Sequence, residues 1–386
     1  MPEHEAIVVG AGPAGLSVAA TLGMCGVEAV VLERSDAVGA SWRGQYDRLH
    51  LHTVRWLSQL PGLRFSRRHG KWVSRDGVVR YLENYVRHHD LDVRTGITVA
   101  RIERDGDGWA VVTDQGRLIA SIVVVATGFN LDPFVPVWPG RDGFTGELLH
   151  ARDYKNPEPY RSKAVLVVGS GNTGAEIAVD LVEGGAGRVH LSIRTPPAIL
   201  RRDVLGFPNQ LTGVMIRRLP PVLVDPMIRT AQRATGGNLE QHGIPLPPRG
   251  SYTKFLHDDV VPILDVGLTK LVKAGRVRIV RGVEGFDGAD VLLAGGERIS
   301  PDAVIAATGY RRSLEPLVGH LGVLEPNSKP RVHGADTDPA APGLHFIGFS
   351  NPISGMFREI AIDARRIAAA VRLRGGSHSD NSRISA

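Results

Sequence analysis

The chain has 386 residues, 42% of them hydrophobic and 22% charged, ordinary values that exclude a disordered or collagen-like chain. Its one cysteine, Cys25, excludes an intramolecular disulfide, a four-cysteine zinc site and a CxxC redox pair. The formal charge of +6 reflects 46 basic against 40 acidic residues, scattered in short pairs such as Arg67-Arg68, Arg217-Arg218 and Arg365-Arg366, without the stripe or arm of a nucleic-acid binder.

Met-Pro-Glu-His-Glu runs straight into a strand, so no signal peptide is expected. No stretch reaches the roughly 18 apolar residues of a membrane span, and with one cysteine the expected location is cytoplasmic. The apolar run 5–9 reads as a strand buried in a parallel sheet, followed by a helix over 14–25 and a strand over 28–33. Val78, Tyr81, Leu82, Tyr85, Val86 and His89 recur at helical spacing, so 78–89 is an amphipathic helix. His88-His89 at its end lack further ligands, and no metal is expected. Residues 97–104, 109–114 and 118–125 read as three strands, with Asp105-Gly-Asp-Gly108 as the first turn.

The pattern then starts again. Ala6-Ile-Val-Val-Gly-Ala-Gly-Pro-Ala-Gly15 returns 159 residues later as Val165-Leu-Val-Val-Gly-Ser-Gly-Asn-Thr-Gly174. The closures Val123-Val-Val-Ala-Thr-Gly-Phe129 and Val304-Ile-Ala-Ala-Thr-Gly-Tyr310 also repeat, and 276–281 with 289–294 read as a second copy of the strand meander. The expected fold is α/β with two dinucleotide-binding, Rossmann-like domains. Residues 1–158 and 310–386 form one discontinuous domain, with 159–309 inserted into it. Within the insert, 200–260 is rich in Pro and Gly and reads as an irregular, lid-like segment. Its mixed basic and apolar piece 214–233 reads as a surface helix, with membrane contact as the alternative. The polar tail from Gly375 to Ala386 is expected to lack structure.

Gly10, Gly12 and Gly15, with Pro13 and Ala14 between them, have the full context of a phosphate turn: strand before, helix after, and Glu33 18 residues beyond Gly15 at the next strand tip. The glycines allow a tight turn and close approach to a pyrophosphate, the helix N-terminus stabilises its charge, and Glu33 accepts from ribose hydroxyls. A carboxylate there suits an unphosphorylated adenosine ribose. The second turn, Gly169-Ser170-Gly171-Asn172-Thr173-Gly174, has no acid at its matching strand tip. Arg194, with Thr195 beside it, stands 20 residues after Gly174, where a guanidinium can pair with a 2′-phosphate. That favours NADP(H) at the second turn and FAD at the first. Arg34 and Val99 are counted with the FAD contacts. The closures Ala126-Thr127-Gly128 and Ala307-Thr308-Gly309 are counted with the two cofactor sites.

Phe144-Thr-Gly-Glu-Leu-Leu-His150-Ala-Arg-Asp-Tyr154 matches FxGxxxHxxxY, and with it the sequence resembles the flavin-containing monooxygenases from about residue 5 to 370. Gly39-Ala-Ser-Trp42, Arg48-Leu-His-Leu-His-Thr53 and Val261-Pro-Ile-Leu-Asp-Val-Gly267 extend the resemblance, most of all to the YUCCA type and its bacterial relatives. The resemblance implies that Ser41, Trp42, His52 and Thr53 lie against the flavin, as does Phe349 at the end of Gly343-Leu-His-Phe-Ile-Gly-Phe349. Many relatives carry Asn where this chain has His52, although YUCCA-type members resemble it there. His52 is therefore the candidate catalytic residue, a donor near flavin C4a, with a plain polar strand residue as the alternative. His150 and Tyr154 would support the crossover structurally. The implied chemistry is reduction of FAD by NADPH, a flavin C4a-(hydro)peroxide shielded by NADP+, and transfer of one oxygen from O2 to a small organic substrate. That substrate is a soft nitrogen or sulfur centre, or a 2-oxo acid undergoing oxidative decarboxylation.

Alternatives are a Baeyer–Villiger ketone monooxygenase, whose similar fingerprint ends in Trp, an NADPH oxidase, and a non-catalytic FAD-binding module. A homodimer stays open as an assembly. A thioredoxin-reductase-like reading would need a second redox cysteine.

Overall fold

The structure, a computed structural model, describes residues 3–204, 206–216, 219–236, 239–244, 250, 252–253 and 262–381. The chain is α/β and divides into two compact units, one of Met1–Gly44, Thr53–Asp132 and Tyr310–Ala386, the other of Gln45–His52 and Pro133–Gly309.

The first unit is built on a seven-stranded sheet. Strand β1 (His4–Val9) leads through Gly10–Gly12 into helix α1 (Pro13–Met24), where Pro13 takes a first-turn position that needs no N–H. β2 (Ala29–Leu32) and, after helix α2 (Arg75–His89), β3 (Asp92–Arg94) add in parallel on one side of β1. β4 (Val99–Asp105), β5 (Gly108–Thr113) and β6 (Gly116–Val125) form an antiparallel meander. β6 changes partner halfway along one edge. Gly116–Ala120 pairs with β5, and Val123–Val125 pairs in parallel with the strand Leu344–Phe346. Its other edge pairs in parallel with β1, so the near-continuous apolar runs of these strands are buried on both faces. The C-terminal helix Met356–Asn381 packs on α1, where Thr21 Oγ1 donates to Ala364 O at 3.1 Å. This helix runs through the first part of the tail that composition marks as unstructured; 382–386 lie outside the described residues.

The second unit has a five-stranded, all-parallel sheet. Its strands are β7 (Glu147–His150), β8 (Ala164–Val168), β9 (Arg188–Ser192), β10 (Val277–Val280) and β11 (Ala303–Ala306), in the order β10-β9-β8-β11-β7. Helix α3 (Asn172–Glu183) follows the second glycine turn. The fingerprint strand β7 pairs with β11, and Tyr46, Tyr154 and Tyr160 belong to this unit's core. Residues 45–52 and 133–158 therefore cluster with the second sheet, whereas the linear boundary at 158 leaves them with the first.

Two expectations about elements need correction. Residues 276–281 are no part of a meander: β10 is the outer parallel strand beside β9, and the three-stranded antiparallel sheet is Val283–Asp287, Asp290–Leu293 and Arg298–Ile299. An apolar run carries no sign of its partner's direction. The 200–260 segment is also less irregular than its composition implies. Ile199–Arg201 pairs in parallel with Ile263–Asp265, and the helices Asn209–Ile216 and Pro221–Gly236 lie between them. Pro221 is tolerated at a helix start, while Pro226 stands inside the second helix and removes one of its donors. Val224 and Ile228 face inward, whereas Val222, Leu223 and Met227 are exposed. Arg217, Arg218, Pro245, Pro247, Pro248 and Val261 lie outside the described residues. No helix among the described residues is long and apolar enough to cross a membrane, and they hold no cluster of potential metal ligands.

Candidate active site

In the first unit, Gly10 has φ +109°, and a Cβ on it would lie 2.6 Å from Ala126 O. A Cβ on Gly15 would strike Gly10 O, whereas one on Gly12 would meet nothing. The turn is thus closed behind by backbone and open in front at Gly12. Glu33, buried just past the tip of β2, spans to the turn: Ala11 N–H donates to Oε2 at 2.8 Å and Ser35 N–H to Oε1 at 2.9 Å. Each oxygen keeps a second acceptor direction.

The neighbours named by the sequence gather around this turn. Gly39, left-handed at φ 67°, donates its N–H to Ala11 O at 3.0 Å and starts the helical turn that carries Ser41 and Trp42. Trp42 meets Phe357 edge-on at 5.9 Å. Ala126 N–H donates to Val9 O at 2.9 Å, Gly128 has φ +93°, and Thr127 Oγ1 is buried with no hydrogen-bond partner among the described residues. Phe349 is buried beyond Gly348, where a Cβ would lie 3.2 Å from Ala14 Cβ. Three residues differ in their surroundings: Arg34 is exposed, Val99 opens β4, and Thr53 Oγ1 hydrogen-bonds Ser58 Oγ at 2.7 Å. The open cradle at Gly12, the acid spanning to the turn and the orphaned hydroxyl of Thr127 fit the adenosine diphosphate half of FAD.

The second turn repeats the construction. Gly169 has φ +124°, a Cβ on it or on Gly174 would strike Ala307 O or Gly169 O respectively, and one on Gly171 would meet nothing. Ala307 N–H donates to Val168 O at 2.8 Å. Thr308, unlike Thr127, is engaged, with Oγ1 donating to Phe134 O; Gly309 has φ +86°. Asn172 braces the turn, its Nδ2 donating to Pro262 O at 3.1 Å and its Oδ1 accepting from Leu264 N–H at 2.7 Å. Thr173 is half-buried beside it, and Ser170 Oγ donates to Thr195 O at 3.3 Å, which ties the turn to the segment after β9. Arg194 and Thr195 are exposed there, and Arg194 has no carboxylate at ion-pair distance among the described residues. An unpaired guanidinium beside an open phosphate turn fits the 2′-phosphate of NADP(H).

His150 and Tyr154 are buried in this unit. Arg152 N–H donates to His150 Nδ1 at 3.0 Å, so Nε2 carries the proton toward Gly309 O, also at 3.0 Å. Burial pushes the His150 pKa down and favours this neutral form. Tyr154 Oη donates to Asp180 Oδ2 at 2.7 Å, and burial with that carboxylate pushes its pKa up. His52 is placed in the second unit, its Nε2 2.7 Å from Glu176 Oε1.

Sequence reasoning missed the acids of α3. Glu176, Asp180 and Glu183 form one ladder that holds residues 45–52 and the fingerprint: Glu176 takes Tyr46 and His52, Asp180 takes Tyr154 and Arg48, and Glu183 takes Arg48. Glu176 and Asp180, spaced four apart within the apolar stretch of the helix, were the available signal, because buried carboxylates require partners.

A family model described as pyridine nucleotide-disulphide oxidoreductase matches residues 7–204. The indole-3-pyruvate monooxygenase YUCCA1 of Oryza sativa subsp. japonica is 37% identical over 324 residues, covering 83% of this chain and 80% of the relative. The probable indole-3-pyruvate monooxygenase YUCCA1 of Arabidopsis thaliana is 33% identical over 353 residues, covering 90% and 85%. In three dimensions the chain is similar to a flavin-containing monooxygenase from Stenotrophomonas maltophilia, with a TM-score of 0.72 at 24% identity over 96% of this chain and 99% of the other. That last likeness bears on the fold.

Proposed function

This chain belongs to the class B flavoprotein monooxygenases, enzymes that use FAD and NADPH, and from that premise we propose that its first unit holds FAD and its second NADP(H). The reaction consumes NADPH, a proton and O2, puts one oxygen atom into a small organic substrate and leaves NADP+ and water. The observation that carries this reading is one difference between two turns built alike. The first answers to the buried acid Glu33, the second to the exposed cation Arg194. Bound FAD supplies the redox chemistry, accepting the hydride of NADPH and reacting with O2.

The chain's own residues bind, orient and exclude water. The first-turn N–H groups of Ala14 and Gly15 at the start of α1 would hold the pyrophosphate of FAD, and Glu33 would accept from its ribose. Arg194 and Thr195 hold the 2′-phosphate, and Asn172 keeps the second turn in shape. His52 is the proton-handling residue. Of the open substrate classes, a 2-oxo acid undergoing oxidative decarboxylation is favoured by the likeness to relatives named indole-3-pyruvate monooxygenases.

The test compares NADPH consumed with H2O2 released as nitrogen, sulfur and 2-oxo-acid compounds are added. A true substrate should cut H2O2 well below NADPH consumption, with oxygenated product making up the difference. Equal amounts for every compound would favour an NADPH oxidase, and no NADPH consumption would favour a non-catalytic module.

A further inference from the structure

Glu176 lies two residues past Gly174, in the helix that begins at the second phosphate turn, and is 4% exposed. Both of its oxygens are occupied: Tyr46 Oη donates to Oε2 at 2.6 Å, and His52 Nε2 lies 2.7 Å from Oε1. Burial alone would push the carboxyl pKa up, but His52, Tyr46 and the charge of Arg202 hold it below its ordinary value. Tyr46 is itself pushed well above its ordinary value by burial and by Glu176, so it stays a donor throughout the working range. An ionised carboxylate can only accept. The proton in the His52–Glu176 contact is therefore on His52 Nε2, and Nδ1 is the nitrogen turned away, with no hydrogen-bond partner among the described residues.

We propose that Glu176 is the positioning residue of His52, fixing the imidazole in its Nε2–H form and leaving Nδ1 as the nitrogen that exchanges a proton, with Tyr46 holding the carboxylate in place. The role rests on the reading of His52 as the proton-handling residue. It requires no additional reactant. In an imidazole held as Nε2–H, Nδ1 is the nitrogen with a free lone pair, able to accept a proton and return it. The contact ties the His52 imidazole to the helix that begins at the second nucleotide turn.

The test uses the FAD-loaded, full-length enzyme and the variants Glu176→Gln, His52→Ala, Tyr46→Phe and the double variant Glu176→Gln/His52→Ala. Glu176→Gln should lower kcat roughly 10- to 100-fold, while the KM for NADPH and the FAD content stay near wild type. The double variant should be no slower than His52→Ala, because residues acting as a unit are non-additive. Tyr46→Phe should show a smaller loss in the same direction. In wild type, 15N chemical shifts of the labelled histidines should show His52 with a protonated Nε2 and a bare Nδ1. Multiplying losses in the double variant, or a protonated Nδ1 with bare Nε2 in neutral wild type, would overturn the positioning role while leaving monooxygenation intact. An unchanged rate in His52→Ala would overturn the role of His52 and this proposal with it. The H2O2 balance tests the monooxygenase reading separately.

Discussion

Glu33→Arg should yield a protein that folds but no longer retains FAD through purification, whereas wild type should be yellow with one FAD per chain. The carboxylate accepts from Ala11 and Ser35 N–H groups and, in the proposed complex, from the ribose hydroxyls. Arginine removes every acceptor and presents donors to donors. A hydrogen bond to a charged group contributes about 1.5–3 kcal/mol, so loss of even one ribose contact weakens binding roughly 10- to 150-fold. Gly15→Ala should have the same outcome by another route. Its Cβ would strike Gly10 O, so the turn must open before the helix can start. The readout is the flavin absorbance per chain, with circular dichroism confirming that each variant is folded. Full retention of FAD by Glu33→Arg would remove the ribose contact from Glu33.

Arg194→Ala should erase most of the preference for NADPH over NADH. The guanidinium is exposed and has no ion-pair partner among the described residues, so little is lost elsewhere when it goes. Charge-assisted contacts to a phosphate are worth about 1.5–3 kcal/mol, which predicts a roughly 10- to 150-fold rise in the Kd or KM for NADPH with NADH little changed. An unchanged NADPH-to-NADH ratio would move the 2′-phosphate site to Thr195 or Arg201. Arg281, just past β10, is a further cation for the same assay, since β9 ends in register with β10 at Ser192 and Val280.

The parts legible in the sequence were those where backbone geometry dictates the residue. At Gly10, Gly15, Gly169 and Gly174 a Cβ has no room, so the turns are written in the chain at fixed spacing. Glu33 and Arg194 follow at distances set by one helix and one strand. The acid ladder of α3 was not legible from spacing, because Tyr46 and Glu176 are 130 residues apart and only the folded sheet brings them together. The surface-helix reading of 214–233 anticipated the helix Pro221–Gly236, whereas the separate helix Asn209–Ile216 was hidden among prolines, which signal loops on average but are accommodated at Pro221 and, at a cost, at Pro226. The assignment of 276–281 to a meander failed because strand patterning does not encode which edge a strand joins.

The central claim, oxygen insertion rather than oxidase activity, is tested most directly by stopped flow: the NADPH-reduced enzyme, with NADP+ bound, is mixed with O2 and followed in the near ultraviolet. The expected result is a transient absorbance that lasts longer with NADP+ than without it, because excluding water protects a reactive species, and that decays faster when the true substrate is added. Reoxidation with no transient, with H2O2 equal to NADPH consumed for every nitrogen, sulfur and 2-oxo-acid compound tried, would contradict it.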